Sequence, residues 1–562
     1  MIDNLTMGHI IRRAAQQYPQ RTAIIYEGRT YTYREYNQRV NRAAHAMYGL
    51  GVAFGDHVAI LGQNSVEYLE LCHGAAKIGA VFGTVNWRLA PKEISFIVTD
   101  GDSKVLVIEA GFQDTVAEVL DDLTGVTLVV FDGPVTLPGA LAYDELVAAA
   151  SDSEPDGEVG SEDEALIMYT SGTTGLPKGA VLTHGNICWD AVCYLTYAPP
   201  MPYDCLLVGM PMNHVSGLHI QTTSFLIRGL PLVIMRKWDP TEACRLIQRH
   251  RVTVATILVT PLQQLIDFPQ LHDYDLTSLR LVLTAAAKYT RDFPVAVMHK
   301  LSVDHLLFGY GLTEAAPIVS LTEFSGEMLA RENTLGFPVW YNDVRIVDET
   351  DADLPPGQTG ELLVRGPNVF KGYYKRPDTN AEVLRGGWLH TGDLAYYEDN
   401  FLFFVDRKKD MIKSGGENVY SAEVEMALLN GNPQLAEAAV IGVPSPQWGE
   451  AVTAFVVVKS GEQVTGEQIV TSARKHLAGY KLPKKTYFVD ELPKSVSGKV
   501  LKTRLRDRAA TGQAPQPPDV TGVEPQDPDT LAVATQAVPA PAAETKTATG
   551  SATRTEDASS AG

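Results

Sequence analysis

Residues 169–184 read Tyr-Thr-Ser-Gly-Thr-Thr-Gly-Leu-Pro-Lys-Gly-Ala-Val-Leu-Thr-His, with three glycines, five Ser/Thr hydroxyls and one lysine in sixteen positions. This chemistry suits a triphosphate. Glycines let the backbone approach closely and present its N–H groups, hydroxyls donate to phosphate oxygens, and Lys178 adds a point charge. The Walker A spacing Gly-x-x-x-x-Gly-Lys-Ser/Thr does not fit this string.

Five further clusters follow the same logic. Phe308-Gly-Tyr-Gly-Leu-Thr-Glu314 joins an aromatic ring, glycines, a hydroxyl and a carboxylate. Hard oxygen donors of this kind suit Mg²⁺, which keeps several waters. Trp388-Leu-His-Thr-Gly-Asp393, with Asp406-Arg407 downstream, offers a carboxylate that can accept from a diol. Asp410-Met-Ile-Lys-Ser-Gly-Gly-Glu-Asn-Val-Tyr420 carries tandem glycines beside which a narrow ligand could run, and Trp448-Gly-Glu450 follows. Leu492-Pro-Lys-Ser-Val-Ser-Gly-Lys499 ends on a lysine, a mobile point charge on a flexible stem. Pro211-Met-Asn-His-Val-Ser-Gly217 carries a histidine. Each fragment alone has a plainer reading: a turn, a helix cap, a solvated lysine, a core histidine.

Together and in this order, the strings resemble the signatures of the AMP-forming adenylating enzymes: acyl-CoA synthetases, peptide-synthetase adenylation domains and firefly-type luciferases. The resemblance covers about residues 5–508. It implies ATP, Mg²⁺ and coenzyme A as the small molecules used, and a role for each matching position. Thr170, Ser171, Gly172, Thr173, Thr174, Gly175 and Lys178 would cradle the phosphates. Ala286, Ala287, Phe308, Gly309, Tyr310 and Gly311 would border the nucleotide, with Tyr310 stacked on adenine and the loop of Ala286 and Ala287 beside it. Thr313 would approach the α-phosphate, Thr170 and Glu314 would hold Mg²⁺, Asp393 and Arg407 would take the ribose, and Phe404 would border the nucleotide. Lys499 would sit between the attacking carboxylate and the α-phosphate and stabilise charge as pyrophosphate leaves. Ser414, Gly415, Gly416, Glu417 and Trp448 would line the path of the CoA thiol, and Lys409 would be the hinge between two half-reactions. The resemblance places His214 beside the substrate carboxylate and at the acceptor tunnel. The stretch around it has no aspartate of the kind that pairs with an amino acid's ammonium, which favours an acid without one. Gly360–Tyr374 also matches and reads as mainly structural, building a closing subdomain.

One stretch departs from the pattern. Thr284-Ala-Ala-Ala-Lys288 stands where the family usually has Ser-Gly-Gly-Ala-Pro. Methyl groups at Ala285 and Ala286 restrict φ and predict a tighter acyl pocket. The expected reaction is ligation of a carboxylic acid, a fatty or related one, to CoA through an acyl-AMP. The alternatives are an acyl-AMP passed to a carrier protein, an amine or another nucleophile, and a catalytically dead nucleotide-binding relative.

A chain of 562 residues exceeds one hydrophobic core. Its formal charge of -20 argues against nucleic-acid partners, though not against a local anion pocket. Five cysteines without a Cys-x-x-Cys pair suggest reduced thiols of a cytoplasmic protein. The N-terminus lacks a signal-peptide pattern, and no apolar run reaches the roughly 18 residues of a membrane span. Homodimerisation is left open.

Strand-like runs at Val81–Val85, Val105–Ile108, Thr127–Phe131, Leu206–Met210, Leu232–Met235, Val254–Leu258 and Leu279–Leu283 alternate with helical stretches. One of these opens at the capping box Thr32…Glu35, another at Asn64 or Ser65. The pattern predicts an α/β fold: helix-covered, mainly parallel sheets in an N-terminal domain, residues 1–406. A small β-rich subdomain is expected at about 337–406, a hinge at 407–410 and a smaller mobile α+β lid at 411–508. The Ala/Pro/Thr/Ser-rich residues 511–562 read as a disordered tail.

Overall fold

The computed structural model describes residues 5–170, 177–285, 292–329, 331, 334–494 and 500–510. Ser171, Gly172, Thr173, Thr174, Gly175, Ala286, Ala287, Lys288, Lys499 and the tail from 511 onward lie outside the described residues. The chain forms two compact units. The larger takes Met1–Met411, Tyr420–Glu423 and Pro493–Arg504; the smaller takes Ile412–Val419, Val424–Leu492 and the chain from Leu505.

Local sequence signals account for the helices of the larger unit. The Thr32–Glu35 capping box is present and opens the helix Tyr33–Gly49, whose Tyr36, Val40, Ala43, Ala44 and Met47 are buried. Ser65 caps Val66–Ile78, and Gly79 ends it in the left-handed conformation, φ +70°. This helix is buried all round, so its charged residues need partners. Glu70 takes Arg39, and Lys77 takes Glu154 at 2.7 Å together with Asn37 and Asn41. The acidic stretch 151–164 is thereby tied through Glu154 to two helices.

Two eight-stranded sheets form the body of this unit. The first runs, in spatial order, Ile318–Glu323, His305–Gly311, Leu281–Ala285, Val254–Thr256, Leu206–Val208, Leu232–Ile234, Thr22–Tyr26 and Arg29–Thr32. The second runs Gly372–Tyr373, Lys178–Thr183, Glu164–Thr170, Val81–Val85, His57–Leu61, Ser103–Glu109, Thr127–Phe131 and Leu141–Ala142. Interior pairings are parallel, as apolar runs joined by helices require. Antiparallel strands lie at both edges of the first sheet, Arg29–Thr32 and Ile318–Glu323, and at one edge of the second, Lys178–Thr183 and Gly372–Tyr373. Arg236, just past a strand of the first sheet, bonds Glu109 and Asp132 beside the second and Glu27 of the first. Glu109 is 5% exposed, so losing Arg236 would strand a buried carboxylate.

A third sheet is antiparallel: Thr334–Gly336, Phe401–Arg407, Leu389–Glu398, Gly360–Arg365 and Asp343–Val347. It corrects the reading of Gly360–Tyr374 as one structural piece. Gly360–Arg365 belongs to this sheet, but Gly372–Tyr373 leaves it and pairs with Lys178–Thr183 of the second.

The smaller unit pairs Leu435–Ser445 with Gly449–Val458 over ten register positions and adds Lys485–Phe488 in parallel. Its core is Val424, Leu428, Val440, Val452, Ala454, Val456, Ile469 and neighbours. Among the described residues, no helix is long and apolar enough to cross a membrane.

Candidate active site

Three segments of the larger unit converge on the expected nucleotide residues. Thr170 and Lys178 are register partners on the strands that flank the glycine-rich loop. The strand His305–Gly311 carries Phe308, Gly309, Tyr310 and Gly311 and runs into a short turn, Thr313–Ala315. A Cβ on Gly311 would lie 1.7 Å from the Pro317 carbonyl oxygen, so only glycine permits this sharp return. Asp393 and Arg407 face each other as register partners in the third sheet, with Phe404 on the same strand as Arg407.

The side chains meet in two clusters. In the first, the Tyr310 hydroxyl donates to Asp393 Oδ2 at 2.6 Å, and Arg407 Nε lies 3.6 Å from Asp393 Oδ1. Asp393 is 6% exposed, and burial raises its carboxyl above the usual range despite Arg407 and the Tyr310 hydrogen bond. Burial and the Asp393 charge push the Tyr310 phenol far up, so it stays a donor. In the second, Glu314 Oε1 accepts from Tyr373 at 2.7 Å and from Thr170 Oγ1 at 3.4 Å. The Lys178 ammonium lies 5.5 Å from the centroid of the same Tyr373 ring.

The donor set at Glu314 bears on the metal. One carboxylate and one hydroxyl are hard oxygens, and the described residues contain no group of three or more His, Cys, Asp or Glu that could cage an ion. That is the pattern Mg²⁺ accepts, since it takes one or two carboxylates plus waters and substrate phosphates. A transition-metal cage is not what these residues offer.

His214 sits before the short helix Val215–Leu218. Desolvation and the Arg88 guanidinium lower its imidazole to about 4, so it is neutral near pH 7. Its turn is held from below. Asn64 donates to Met210 O and Met235 O, each at 2.9 Å, and accepts from Met212 N–H; Thr84 donates to Asn213 O. A Cβ on Gly217 would come within 2.3 Å of the carbonyls of Met210 and Pro211.

In the smaller unit, Ser414 and Glu417 close the hairpin of Ile412–Ser414 and Glu417–Val419. Gly415 and Gly416 are its two turn residues at φ +63° and +86°, the positive angles that a primed two-residue turn demands. Gly415 N–H donates to the Trp448 carbonyl at 2.8 Å, and Lys484 lies over the Trp448 ring at 4.7 Å. The sequence read these glycines as room for a ligand; the hairpin shows a backbone requirement for them as well. Lys409 falls in the turn Lys408–Asp410, where Lys408 pairs with Glu361 at 3.0 Å. Lys499 is outside the described residues; Lys494 and Val500 on either side of it form a bridge.

Sequence reasoning missed Tyr373, Asn64, Asn186 and Asn368. Asn186 donates to Pro367 O and Val369 O, and Asn368 donates to Ala315 O and Ile318 O. Each partner is far away in the sequence, so no local pattern could reveal it.

Comparison with known proteins agrees with this geometry. The AMP-binding enzyme family matches residues 11–374, and the AMP-binding enzyme C-terminal domain matches residues 423–499. A feruloyl-CoA synthase from Amycolatopsis sp is 38% identical over 499 residues, 88% of this chain and 97% of the relative. An indoleacetate–CoA ligase from Aromatoleum aromaticum is 37% identical over 502 residues, 89% of this chain and 97% of the relative. The crystal structure of ATP-bound MatB from Rhodopseudomonas palustris superposes with a TM-score of 0.80 at 30% identity, covering 89% of this chain and 98% of that one. The chain belongs to the AMP-binding enzyme family, in the acyl-CoA ligase branch of the AMP-forming adenylating enzymes.

Proposed function

We propose that the protein ligates a carboxylic acid to coenzyme A in two steps through an acyl-adenylate. The observation that carries this reading is the pair of clusters at the ends of Tyr310–Glu314. Asp393 with Tyr310 and Arg407 suits a ribose at one end; Glu314 with Thr170 and Lys178 suits polyphosphate at the other. The four steps from Tyr310 to Glu314 reach at most about 14 Å, a span commensurate with a nucleoside triphosphate.

In the first step a carboxylate oxygen of the acid attacks the α-phosphorus of ATP. The P–O bond to the β-phosphate breaks, and pyrophosphate leaves with the bonding pair. Asp393 accepts from the ribose hydroxyls, Thr313 and Lys499 hold the oxygens around the α-phosphorus, and Lys178 with the glycine-rich loop holds the leaving group. Mg²⁺, held by Glu314 and Thr170, would neutralise phosphate charge. In the second step the CoA sulfur attacks the acyl carbon, the bond to AMP breaks, and AMP and a proton are released. Neutral His214 borders the carboxylate without adding charge, and the Gly415–Gly416 hairpin with Trp448 lines the thiol path. Lys409 is the proposed hinge by which Lys499 serves the first step and the hairpin the second. The five cysteines, all buried free thiols, support work in the reducing cytoplasm.

For the acid we propose a hydrophobic carboxylic acid without an α-ammonium. Both fatty and aromatic acids fit this expectation, and the aromatic ones gain support from the relatives above, which are named for ferulate and indoleacetate. The test is an acid panel of ferulate, indoleacetate and fatty acids of graded length with ATP, Mg²⁺ and CoA, read by mass spectrometry. Acyl-CoA and AMP formed in equal amounts from at least one acid support the proposal. Acyl-AMP that accumulates without consuming CoA would move the acceptor to a carrier protein or amine.

A further inference from the structure

The stretch that leaves the third sheet ends on Tyr373, and everything around it holds that ring in one place. Its backbone pairs with Ala180 on the strand that exits the glycine-rich loop. Asn380 clamps it from the other side, accepting from Tyr373 N–H at 2.7 Å and donating to Tyr373 O at 2.8 Å. Lys371 N–H and Tyr374 N–H donate to Val181 O and Gly179 O, so the strap is stitched to that strand on both sides of Tyr373. The same strap holds the other half of the site: Phe370 N–H donates to Glu314 O at 2.9 Å, and Asn368 donates to Ala315 O and Ile318 O. Residues 368–374 therefore tie the exit of the loop to the turn that carries Glu314.

We propose that Tyr373 is a positioning residue for the Glu314 carboxylate and, through it, for the divalent cation of the ATP complex. Its hydroxyl and that of Thr170 both bond Oε1, and neither bonds Oε2. Two donors on one oxygen fix the rotation of the carboxyl group and leave the other oxygen for a cation, which suits a single-oxygen contact to Mg²⁺. The ring lies against Lys178, so one side chain sets the distance between the two groups that meet the phosphates. A phenylalanine would keep the ring against Lys178 and lose only the grip on Glu314. Among the described residues, Glu314 is the hydroxyl's hydrogen-bond partner.

This inference rests on the ATP chemistry proposed above, and calorimetric titration of the full chain separates the two. ATP with saturating Mg²⁺, ATP with chelator, and AMP are titrated into the parent, Tyr373→Phe and Asn380→Ala. The Mg²⁺-dependent gain in ATP affinity should fall about tenfold in Tyr373→Phe, the worth of a hydrogen bond to an ionised group. AMP affinity should stay within about twofold. Asn380→Ala, which frees the backbone but keeps the hydroxyl, should show a smaller loss in the same direction. The Mg²⁺ concentration for half-maximal acid-dependent pyrophosphate exchange should rise in parallel. An unchanged Mg²⁺-dependent gain, or an equal fall in AMP affinity, would overturn the inference. A parent chain that binds neither nucleotide would instead defeat the proposed function itself.

Discussion

The nucleotide-side clusters and the glycine hairpin of the smaller unit are built on opposite principles. Around Asp393 and Glu314, side chains from distant segments bond one another, and a buried carboxylate depends on a hydroxyl and a guanidinium for its environment. Around Gly415–Gly416 the shape comes from the backbone: two positive φ angles, a hairpin register and one N–H to the Trp448 carbonyl. The first kind of site fails when charge or a hydrogen bond is removed. The second fails when a side chain is added.

That contrast predicts how variants divide. Glu314→Gln keeps shape and removes charge, and acid-dependent pyrophosphate exchange should fall by about a hundredfold or more, in the range of lost electrostatic stabilisation. A loss below threefold would break the contrast. Asp393→Asn should weaken AMP and ATP alike by about tenfold, because the acceptor of a charge-assisted hydrogen bond is exchanged for an amide. Equilibrium titration with AMP checks it, and a selective loss of ATP would place Asp393 at the phosphates instead. Gly415→Val forces a β-branched residue to φ +63°, at a cost of about 1–3 kcal/mol in the smaller unit. CoA-dependent release of AMP should slow while exchange holds within about twofold. A parallel fall in exchange would show that the hairpin serves both steps.

A further test reads stability rather than catalysis, through pH. His184, His219 and His73 are buried, with imidazoles lowered by desolvation to about 4, 3 and 3. Their ordinary value is 6.5, so between pH 6.5 and 4 the unfolded chain binds protons that the folded chain refuses. Folded stability is therefore full above pH 6.5 and falls as pH drops through that window, by up to about 1.4 kcal/mol per pH unit for each histidine. Thermal unfolding from pH 7.5 to 4.5 should show the decline, and His219→Gln should flatten it. A midpoint that rises on acidification would contradict the account.

The same contrast explains what the sequence could disclose. Local signals survived well: the Thr32–Glu35 box, the Ser65 cap and the buried runs of the parallel strands all stand where the residues placed them. The motif residues Tyr310, Asp393, Glu314 and Thr170 are also brought together in the structure. What escaped was whatever depends on pairing across the chain. Tyr373 reaches Glu314 over 59 positions, Asn186 reaches Pro367 over 181, and the strap changes sheets within seven residues of Arg365. A polar side chain that bonds a distant backbone carbonyl leaves no periodicity behind, so Asn186 and Asn368 read as ordinary polar residues, and Asn64 as a candidate helix cap, until the fold is seen.

The central claim is that the larger unit's two clusters hold ATP while an acid attacks its α-phosphate. Incorporation of labelled pyrophosphate into ATP, with and without acid and in the absence of CoA, measures that step alone. The parent chain should exchange label only when an accepted acid is present, and Glu314→Gln should abolish most of it. Exchange that is absent with every acid of the panel, or equally fast in the variant, would contradict the account.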